Sequence, residues 1–310
     1  MPTKDEKQPL HVKYRPKSWE EVFGNKQTLT TLQGVLKEGK IKTFLLYGPT
    51  GCGKTTIARL IADTVGCKNI DFQEINAANN RGVDTIREIV GDSRFQAFAG
   101  EAKVFLLDEA HQITGTAAEA LLKVIEDTPP DTYFILATTN PEKLTATIKN
   151  RCSAFPVHML NNFEIRDLLV KVAGLEGITN VPTNIMQEIA RKVDGCPRQA
   201  LQILAQVCVL NDEQEMLSVI ENYSGESKNA MDLCRALLNK GWPEVLPVLE
   251  KVQDEDPEGV RRSVMGYMSK VILSDGDKSK RASKVLTIFA EPIFNTGKPG
   301  IVLACWKCYL

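Results

Sequence analysis

The run Gly48-Pro49-Thr50-Gly51-Cys52-Gly53-Lys54-Thr55 decides the fold of this 310-residue chain. It matches the phosphate-loop pattern G-x-x-x-x-G-K-[ST] at every fixed position, with an apolar run before it and a helical stretch after it. Glycines let backbone N–H groups turn toward phosphate oxygens at the positive end of a helix. The sequence therefore predicts a cradle for ATP. Its residues are Gly48, Pro49, Thr50, Gly51, Cys52, Gly53, Lys54, Thr55 and Thr56.

Four side chains have predicted chemical roles around this cradle. Lys54 supplies a positive charge to the β- and γ-phosphates, and the Thr55 hydroxyl is a predicted Mg²⁺ ligand. A second metal ligand is expected at a strand end, where the apolar run Val104–Leu107 is followed by Asp108 and Glu109. We expect Asp108 to hold Mg²⁺, and Glu109 to orient and deprotonate the attacking water. The sequence thus predicts an ATP hydrolase.

The letters Asp108-Glu-Ala-His111 also spell a helicase box. Helicases of that kind need two full nucleotide-fold domains, and the second half of this chain reads as helical and carries no second set of motifs. We therefore expect His111 to be local to the strand end and not part of the mechanism.

Apolar runs alternate with helical stretches in the first half of the chain. Runs at Thr43–Tyr47, Asp71–Ile75, Lys103–Leu107, Tyr133–Ala137 and Ser153–Val157 predict strands. Such runs alternating with helices predict an α/β fold whose parallel sheet is covered on both faces. After about His158 the strand signals cease and helical periodicity takes over. The predicted layout is a nucleotide-binding α/β domain at 1–159, a helical lid at 160–224 and a helical collar at 225–310.

Composition sets limits on the class of protein. Hydrophobic residues make up 43% and charged residues 25%, which is ordinary for a globular protein. The net charge of −1 does not predict nucleic-acid binding, so any DNA contact has to be local. The N-terminus lacks an apolar signal core, so we expect the cytosol of a cell or an infected host, and no membrane association. Cys305 and Cys308 form a lone C-x-x-C, which we interpret as one face of a buried helix in preference to a redox or metal site.

Several separate motifs between about residues 10 and 210 carry a family resemblance. They are Lys13-Tyr-Arg-Pro16, Val22-Phe-Gly24, Ala118-Glu-Ala-Leu-Leu-Lys123, Thr138-Thr-Asn140, Asn150-Arg-Cys152 and Gly195-Cys-Pro-Arg198. With the phosphate loop, they resemble the AAA+ clamp-loader ATPases: replication factor C small subunits, bacterial polymerase III gamma subunits and phage clamp-loader large subunits. The resemblance implies the helical lid and collar. It also implies ATP hydrolysis that opens a sliding clamp and loads it on primer–template DNA for processive replication.

The resemblance also implies roles for individual residues. Val12, Tyr14 and Arg15 would border the adenine. Thr139 would sense the γ-phosphate, and Arg198 would be a second sensor on the lid. Arg151 would be the arginine finger that completes the ATP site of the adjacent subunit, which can be worth ~10³–10⁵ in rate.

Four further residues are implied to regulate hydrolysis or contact DNA. Asn76 would restrain the catalytic glutamate until the partner binds. Arg81 and Arg87 would contact DNA phosphates, and Lys123 belongs to the same regulatory or DNA-facing group. Arginines on a solvated helix face are the ordinary alternative for these positions.

The sequence departs from the family pattern at two points. Asn150 stands where the family has a serine before the finger arginine, which leaves the branch of the family open. Gamma subunits carry a four-cysteine zinc module between the first helix and the second strand, where this chain has only Cys67.

The implied partners are a sliding clamp, primer–template DNA bound through its backbone, and other loader subunits in a ring or spiral of about five. A DNA polymerase would be an indirect partner. Two alternatives stay open from the residues alone. One is another AAA+ DNA motor such as a branch-migration helicase, which would carry a winged-helix domain after the lid. The other is a non-hydrolysing scaffold subunit, which the intact Lys54, Asp108, Glu109 and Arg151 disfavour.

Overall fold

The computed structural model describes residues 8–77, 83–223, 228–252, 257–274, 276, 278–291 and 297–309. The chain divides into two compact units, Met1–Glu213 and Gln214–Leu310. Within the described residues, no helix is both long enough and apolar enough to cross a membrane.

A five-stranded parallel sheet forms the centre of the first unit. Its strands are β1 (Thr43–Tyr47), β2 (Phe72–Asn76), β3 (Lys103–Asp108), β4 (Thr132–Thr138) and β5 (Ser153–Pro156). Their order across the sheet is β2-β3-β4-β1-β5, and every neighbouring pair is parallel. The central strands consist mostly of buried apolar residues, as expected for a sheet covered on both sides. The predicted fold class is confirmed.

Helices cover both faces of this sheet. They are α2 (Lys26–Glu38), α3 (Lys54–Thr64), α4 (Val83–Asp92), α5 (Gly115–Glu126) and α6 (Ala146–Arg151), and they follow a short helix, α1 (Leu10–Lys13), that has no buried residue. Successive side chains of a strand point to opposite faces. Phe44 and Leu46 accordingly join a core with α2 and α3, whereas Leu45 joins a core with α4, α5 and α6.

Three longer helices complete the first unit: α7 (Asn162–Glu176), α8 (Thr183–Lys192) and α9 (Pro197–Val207). Helix α7 begins with a capping box, in which Asn161 and Glu164 bind each other's backbone N–H groups. It ends at Glu176, before the left-handed Gly177. Pro197 is the first residue of α9, as its fixed φ favours.

The second unit is helical throughout its described residues. Its helices are α10 (Glu213–Tyr223, which begins at the last residue of the first unit), α11 (Lys228–Asn239), α12 (Trp242–Val252), α13 (Pro257–Ser274), α14 (Ser279–Phe289) and α15 (Gly297–Lys307). The sequence did not predict α10 as a separate helix, and its last residue lies next to the predicted domain boundary at 224. Cys305 and Cys308 are both buried in the core of this unit, and burial raises the pKa of Cys308 to about 11. Their packing agrees with the interpretation as small buried side chains.

The side chain of Asp71 fastens the loop that enters β3. It is 2% exposed and accepts three backbone N–H groups, from Phe98, Ala99 and Gly100, at 2.5–2.8 Å. Burial alone would raise the pKa of Asp71, but the three N–H donors outweigh it and hold the pKa below its ordinary value. The same loop leaves Phe98 85% exposed.

We predict that Asp71→Asn lowers the free energy of unfolding by about 1–3 kcal/mol, because an amide NH₂ faces donors that it cannot accept from. The folded pKa lies below the unfolded one. The carboxylate's contribution is therefore complete above the ordinary value of about 3.9 and is lost as the pH falls through the folded pKa. Urea denaturation of both proteins from pH 7 to pH 3 should show the difference shrinking at acid pH. The exposed Asp131→Asn serves as a control, and an equal effect there would contradict the role of Asp71.

Candidate functional site

The phosphate loop has the geometry that its glycines predict. Gly51 and Gly53 have φ angles of 79° and 106°, which other residues rarely adopt. Gly53 caps the N-terminus of α3, and Lys54 is the first residue of that helix. The Lys54 ammonium is 6% exposed and donates to the carbonyl oxygens of Gly48 and Pro49 at 2.7 and 2.8 Å. The loop therefore holds its cation at the helix N-terminus, where phosphate oxygens bind.

The predicted Mg²⁺ ligands lie side by side. The Thr55 hydroxyl donates to Asp108 Oδ2 at 3.3 Å, although the two residues come from α3 and β3. The other carboxylate oxygen, Oδ1, accepts the backbone N–H of Glu109 at 2.9 Å, which fixes the orientation of the group. Two hard oxygen ligands beside a phosphate cradle suit Mg²⁺, which commonly takes one or two protein oxygens together with phosphate oxygens.

Glu109 has a backbone conformation that residues other than glycine rarely adopt. Its φ is 52°, in the left-handed region, where strain marks many functional positions. The Thr139 hydroxyl, at the end of β4, donates to Glu109 Oε2 at 3.1 Å. Buried His111 brings Nδ1 within 3.3 Å of the same oxygen and within 2.9 Å of the Thr138 hydroxyl. The structure thus brings His111 into contact with Glu109, which the sequence analysis did not foresee.

Asn76 lies beside these carboxylates in the sheet. It is the last residue of β2, and it is paired in register with Asp108 of β3. The predicted regulatory position is therefore next to the predicted metal ligand across one strand spacing.

A single cleft connects the loop and the carboxylates to the N-terminal segment. Tyr14, Arg15, Asp108, Glu109 and Arg198 all line it, together with the loop residues Thr50–Thr56. Val12 is 40% exposed and is not part of this lining. The structure brings together most of the residues that the sequence analysis assigned to ATP binding.

The cleft concentrates positive charge. Arg198 is the second residue of α9, where the positive end of the helix disfavours a cation. Burial, followed by the charge of nearby Arg59, lowers the pKa of Arg15. Both effects would be relieved by an anionic ligand, so the arrangement fits a triphosphate.

An ion pair attaches the N-terminal segment to α7. Lys13 Nζ lies 2.6 Å from Glu176 Oε1, and burial, followed by nearby Glu176, raises the pKa of Tyr14. The segment that borders the cleft is therefore fixed to the helices that follow the sheet.

Arg151 lies apart from this cleft. It is the last residue of α6, its side chain is 37% exposed, and it pairs with Glu126 at the end of α5. It is not among the residues that line the cleft of its own chain. An exposed ion pair is worth about 1 kcal/mol or less, so Glu126 does not prevent the guanidinium from binding elsewhere.

The predicted DNA contacts lie outside the cleft. Arg87 and Lys123 are exposed on α4 and α5, two helices that pack against each other. Arg81 lies outside the described residues.

Together, the sheet order, the phosphate loop and the paired acids define a P-loop protein of the AAA+ class. Comparison with known proteins agrees. RuvB of Thermotoga maritima superposes with a TM-score of 0.61 over 75% of this chain and 80% of that one. At 20% identity this likeness shows the fold alone. No strand occurs after Pro156 in the part of the chain that the structure describes, which disfavours a winged-helix domain of the branch-migration kind.

Sequence relatives identify the family. The DNA polymerase III gamma subunit of Buchnera aphidicola is 31% identical over 267 residues, covering 78% of this chain and 73% of that protein. The tau subunit of Bacillus subtilis is 30% identical over 86% of this chain, and the gamma/tau subunit of Mycobacterium tuberculosis is 33% identical over 64%. The profile of the family described as DNA polymerase III, delta subunit, matches residues 70–161. The chain belongs to the DNA polymerase III gamma/tau family of clamp-loader subunits. It spans 38% of the Mycobacterium protein and 52% of the Bacillus protein.

Gly48 gives a test of the loop geometry. A Cβ at Gly48 would lie 2.0 Å from the carbonyl oxygen of Val157, at the end of the neighbouring strand β5. Gly48→Ala should lower the free energy of unfolding by about 1–3 kcal/mol and weaken ATP binding, because the loop must shift. Gly34→Ala, in the open middle of α2, should instead stabilise by about 0.5–1 kcal/mol and leave binding unchanged. Thermal unfolding and calorimetric titration measure both, and unchanged binding in Gly48→Ala would contradict the loop assignment.

Proposed function

We propose that this chain is an ATPase subunit of a DNA sliding-clamp loader, and that it hydrolyses ATP at a site completed by an adjacent subunit. One observation carries the proposal. The cleft contains the phosphate loop, the metal-ligand pair and Glu109, while the remaining cation of the set, Arg151, lies elsewhere on the same chain. Membership of the gamma/tau family supports the assignment of the clamp and of DNA as partners.

Each residue of the cleft has a separate role in hydrolysis. Lys54 and the N–H groups of the loop bind the β- and γ-phosphates, and Thr55 and Asp108 would hold Mg²⁺. When bound there, the ion would supply positive charge to the phosphate oxygens. Glu109 orients an attacking water and accepts its proton at Oε1 or Oε2. Thr139 and His111, both within hydrogen-bond reach of Oε2, determine which way this carboxylate faces.

Arg151 supplies the remaining positive charge to the neighbouring subunit. Its guanidinium is exposed at the end of α6, on a helix C-terminus that favours a cation. A guanidinium at the γ-phosphate stabilises the transition state and does little for ground-state binding. Activity therefore requires a ring or spiral of subunits, for which we propose about five positions, as in the clamp loaders that the chain resembles.

DNA would bind through its backbone. Arg87 and Lys123 lie on the exposed faces of α4 and α5. Helix α4 follows β2, which ends at Asn76, and α5 follows β3, which ends next to Glu109. We propose that contact with phosphates at these helices, and at Arg81, is transmitted through Asn76 to Glu109 and releases hydrolysis. Binding of this kind carries no sequence preference.

Arg151→Ala tests the shared site. In the assembled complex, purified from its native source or reconstituted, this change should leave the Kd for ATP within about twofold. It should lower phosphate release by ~10³-fold or more, because the lost charge acts in the transition state. Lys54→Ala should weaken ATP binding itself. Arg191→Ala, another exposed and ion-paired arginine, should change neither quantity.

Adding primed DNA and the clamp to the same assay gives a further test. The wild-type complex should release phosphate slowly alone and much faster with both present. A single chain that hydrolyses ATP at full speed without neighbours would contradict the proposal. A complex that binds ATP but never releases phosphate would restore the scaffold alternative.

Arg87 and Lys123 test the DNA contact. Replacing either with alanine should weaken binding of primer–template DNA equally across sequences and reduce the slope of log K against log salt by about 1 per lost phosphate contact. Lys37→Ala removes an exposed lysine from α2, which lies on the other face of the sheet, and should leave the slope unchanged. Fluorescence anisotropy at several salt concentrations measures the slopes, and identical slopes in all variants would place the DNA elsewhere.

A further inference from the structure

His111 lies buried in the turn that follows β3, and both nitrogens of its ring have partners. The 3₁₀ turn Ala110–Gln112 begins directly after Glu109, and the backbone N–H of Gln112 closes it by donating to the carbonyl oxygen of Glu109 at 2.8 Å. His111 Nδ1 lies 2.9 Å from the Thr138 hydroxyl oxygen and 3.3 Å from Glu109 Oε2. Nε2 lies 3.1 Å from the side-chain nitrogen of Gln112. The ring therefore connects Gln112 to the carboxylate of the site.

The partners of His111 determine which of its nitrogens carries the proton. The amide nitrogen of Gln112 only donates, so the contact requires a lone pair at Nε2. At the opposite edge an ionised carboxylate only accepts, and Glu109 Oε2 at 3.3 Å would repel a lone pair at Nδ1. Both contacts require the same tautomer, with the proton on Nδ1. This N–H donates to the Thr138 hydroxyl, and its positive end lies beside the Glu109 carboxylate.

The two oxygens of the Glu109 carboxylate have different surroundings. Oε2 accepts the Thr139 hydroxyl at 3.1 Å and has the Nδ1–H of His111 beside it. Within the residues that the structure describes, none donates to Oε1. Because the donors stabilise negative charge on Oε2, Oε1 is the oxygen whose lone pairs remain for a water molecule.

We propose that Gln112 is a positioning residue that keeps His111 in the Nδ1–H tautomer, so that Oε2 of Glu109 is held and Oε1 accepts the proton of the attacking water. This inference rests on the proposed function, because it takes Glu109 as the base in ATP hydrolysis. In that step the water oxygen bonds to the γ-phosphorus, the bond to the β,γ-bridging oxygen breaks, and ADP leaves with that oxygen. Gln112 and His111 are not part of the cleft lining, so they act through Glu109.

The first measurement reads the tautomer and needs no nucleotide. The protonated and unprotonated nitrogens of a neutral imidazole have well separated ¹⁵N chemical shifts. The chain has three histidines, so the signals of His111 in the labelled full chain are identified by their loss in His111→Asn. We expect the proton on Nδ1 in the wild type. In Gln112→Met, which keeps the size but removes the donor, the two shifts should move toward each other as the tautomers mix. Gln33→Met, at an exposed position of α2, should leave them unchanged.

The second measurement is hydrolysis by the assembled complex with primed DNA and clamp. Gln112→Met should lower kcat by about 2- to 12-fold, the range of one hydrogen bond, and leave the Kd for ATP unchanged. The side-chain N–H of asparagine lies close to the position of the Nδ1–H, so His111→Asn supplies a donor that does not need Gln112. His111→Asn should therefore retain more activity than His111→Phe, and adding Gln112→Met to His111→Asn should cost nothing further. Gln33→Met should change neither kcat nor Kd.

Four results would overturn the inference. They are a proton on Nε2 of His111 in the wild type, an unchanged kcat in Gln112→Met, the same loss from Gln112→Met in the His111→Asn background, and a weaker affinity for ATP in Gln112→Met. The last would show that the change disturbs the cleft as a whole. A wild-type complex that releases no phosphate while His111 carries its proton on Nδ1 would instead remove the proposed function, and the catalytic part of this inference with it.

Discussion

The parallel alignment of β1, β3 and β4 is the constraint on which the whole site depends. Parallel strands end at the same edge of a sheet, so residues far apart in sequence meet there. The loop after β1, the acids at the end of β3 and Thr139 after β4 come within hydrogen-bond distance of one another in this way. The two helical layers hold this edge in place by burying both faces of the sheet. The side chains of the site thus depend on two apolar cores that hold the strands from which they extend.

The cleft has more positive than negative side chains, and an anionic ligand would balance the excess. Lys54, Arg15 and Arg198 face Asp108 and Glu109, and His11 adds no charge because it is neutral. The backbone strain at Glu109 and the position of Arg198 at a positive helix end share one property. Each is unfavourable for the chain alone, and each aims a group at the place where phosphates and water would be. Strain that is maintained by surrounding packing is typical of groups prepared for binding or catalysis.

The sequence was sufficient for the fold and for the phosphate loop because both are encoded locally. Buried parallel strands have a recognisable apolar run, and the loop has a pattern whose residues are adjacent. It was not sufficient where two distant polar groups meet. The contact of His111 with Glu109 and the pair Arg151–Glu126 both depend on the packing of separate elements. Helix α10 was missed because its polar surface resembles a linker when no neighbouring element is known, and the three-domain division at 159 and 224 stays a prediction.

The location of Arg151 has a consequence for how such an enzyme is controlled. A finger cation placed in the cleft of its own chain would act whenever ATP bound, so turnover could not depend on assembly. At the end of α6, paired with an exposed glutamate of the same chain, the arginine has little to lose when it leaves. In the finger role that we propose for it, its contribution is made in the transition state, where one charge is worth ~10³–10⁵ in rate, against about tenfold or less for the pair that it breaks. In the proposed role this charge accelerates hydrolysis only in the assembled complex, which would couple turnover to assembly.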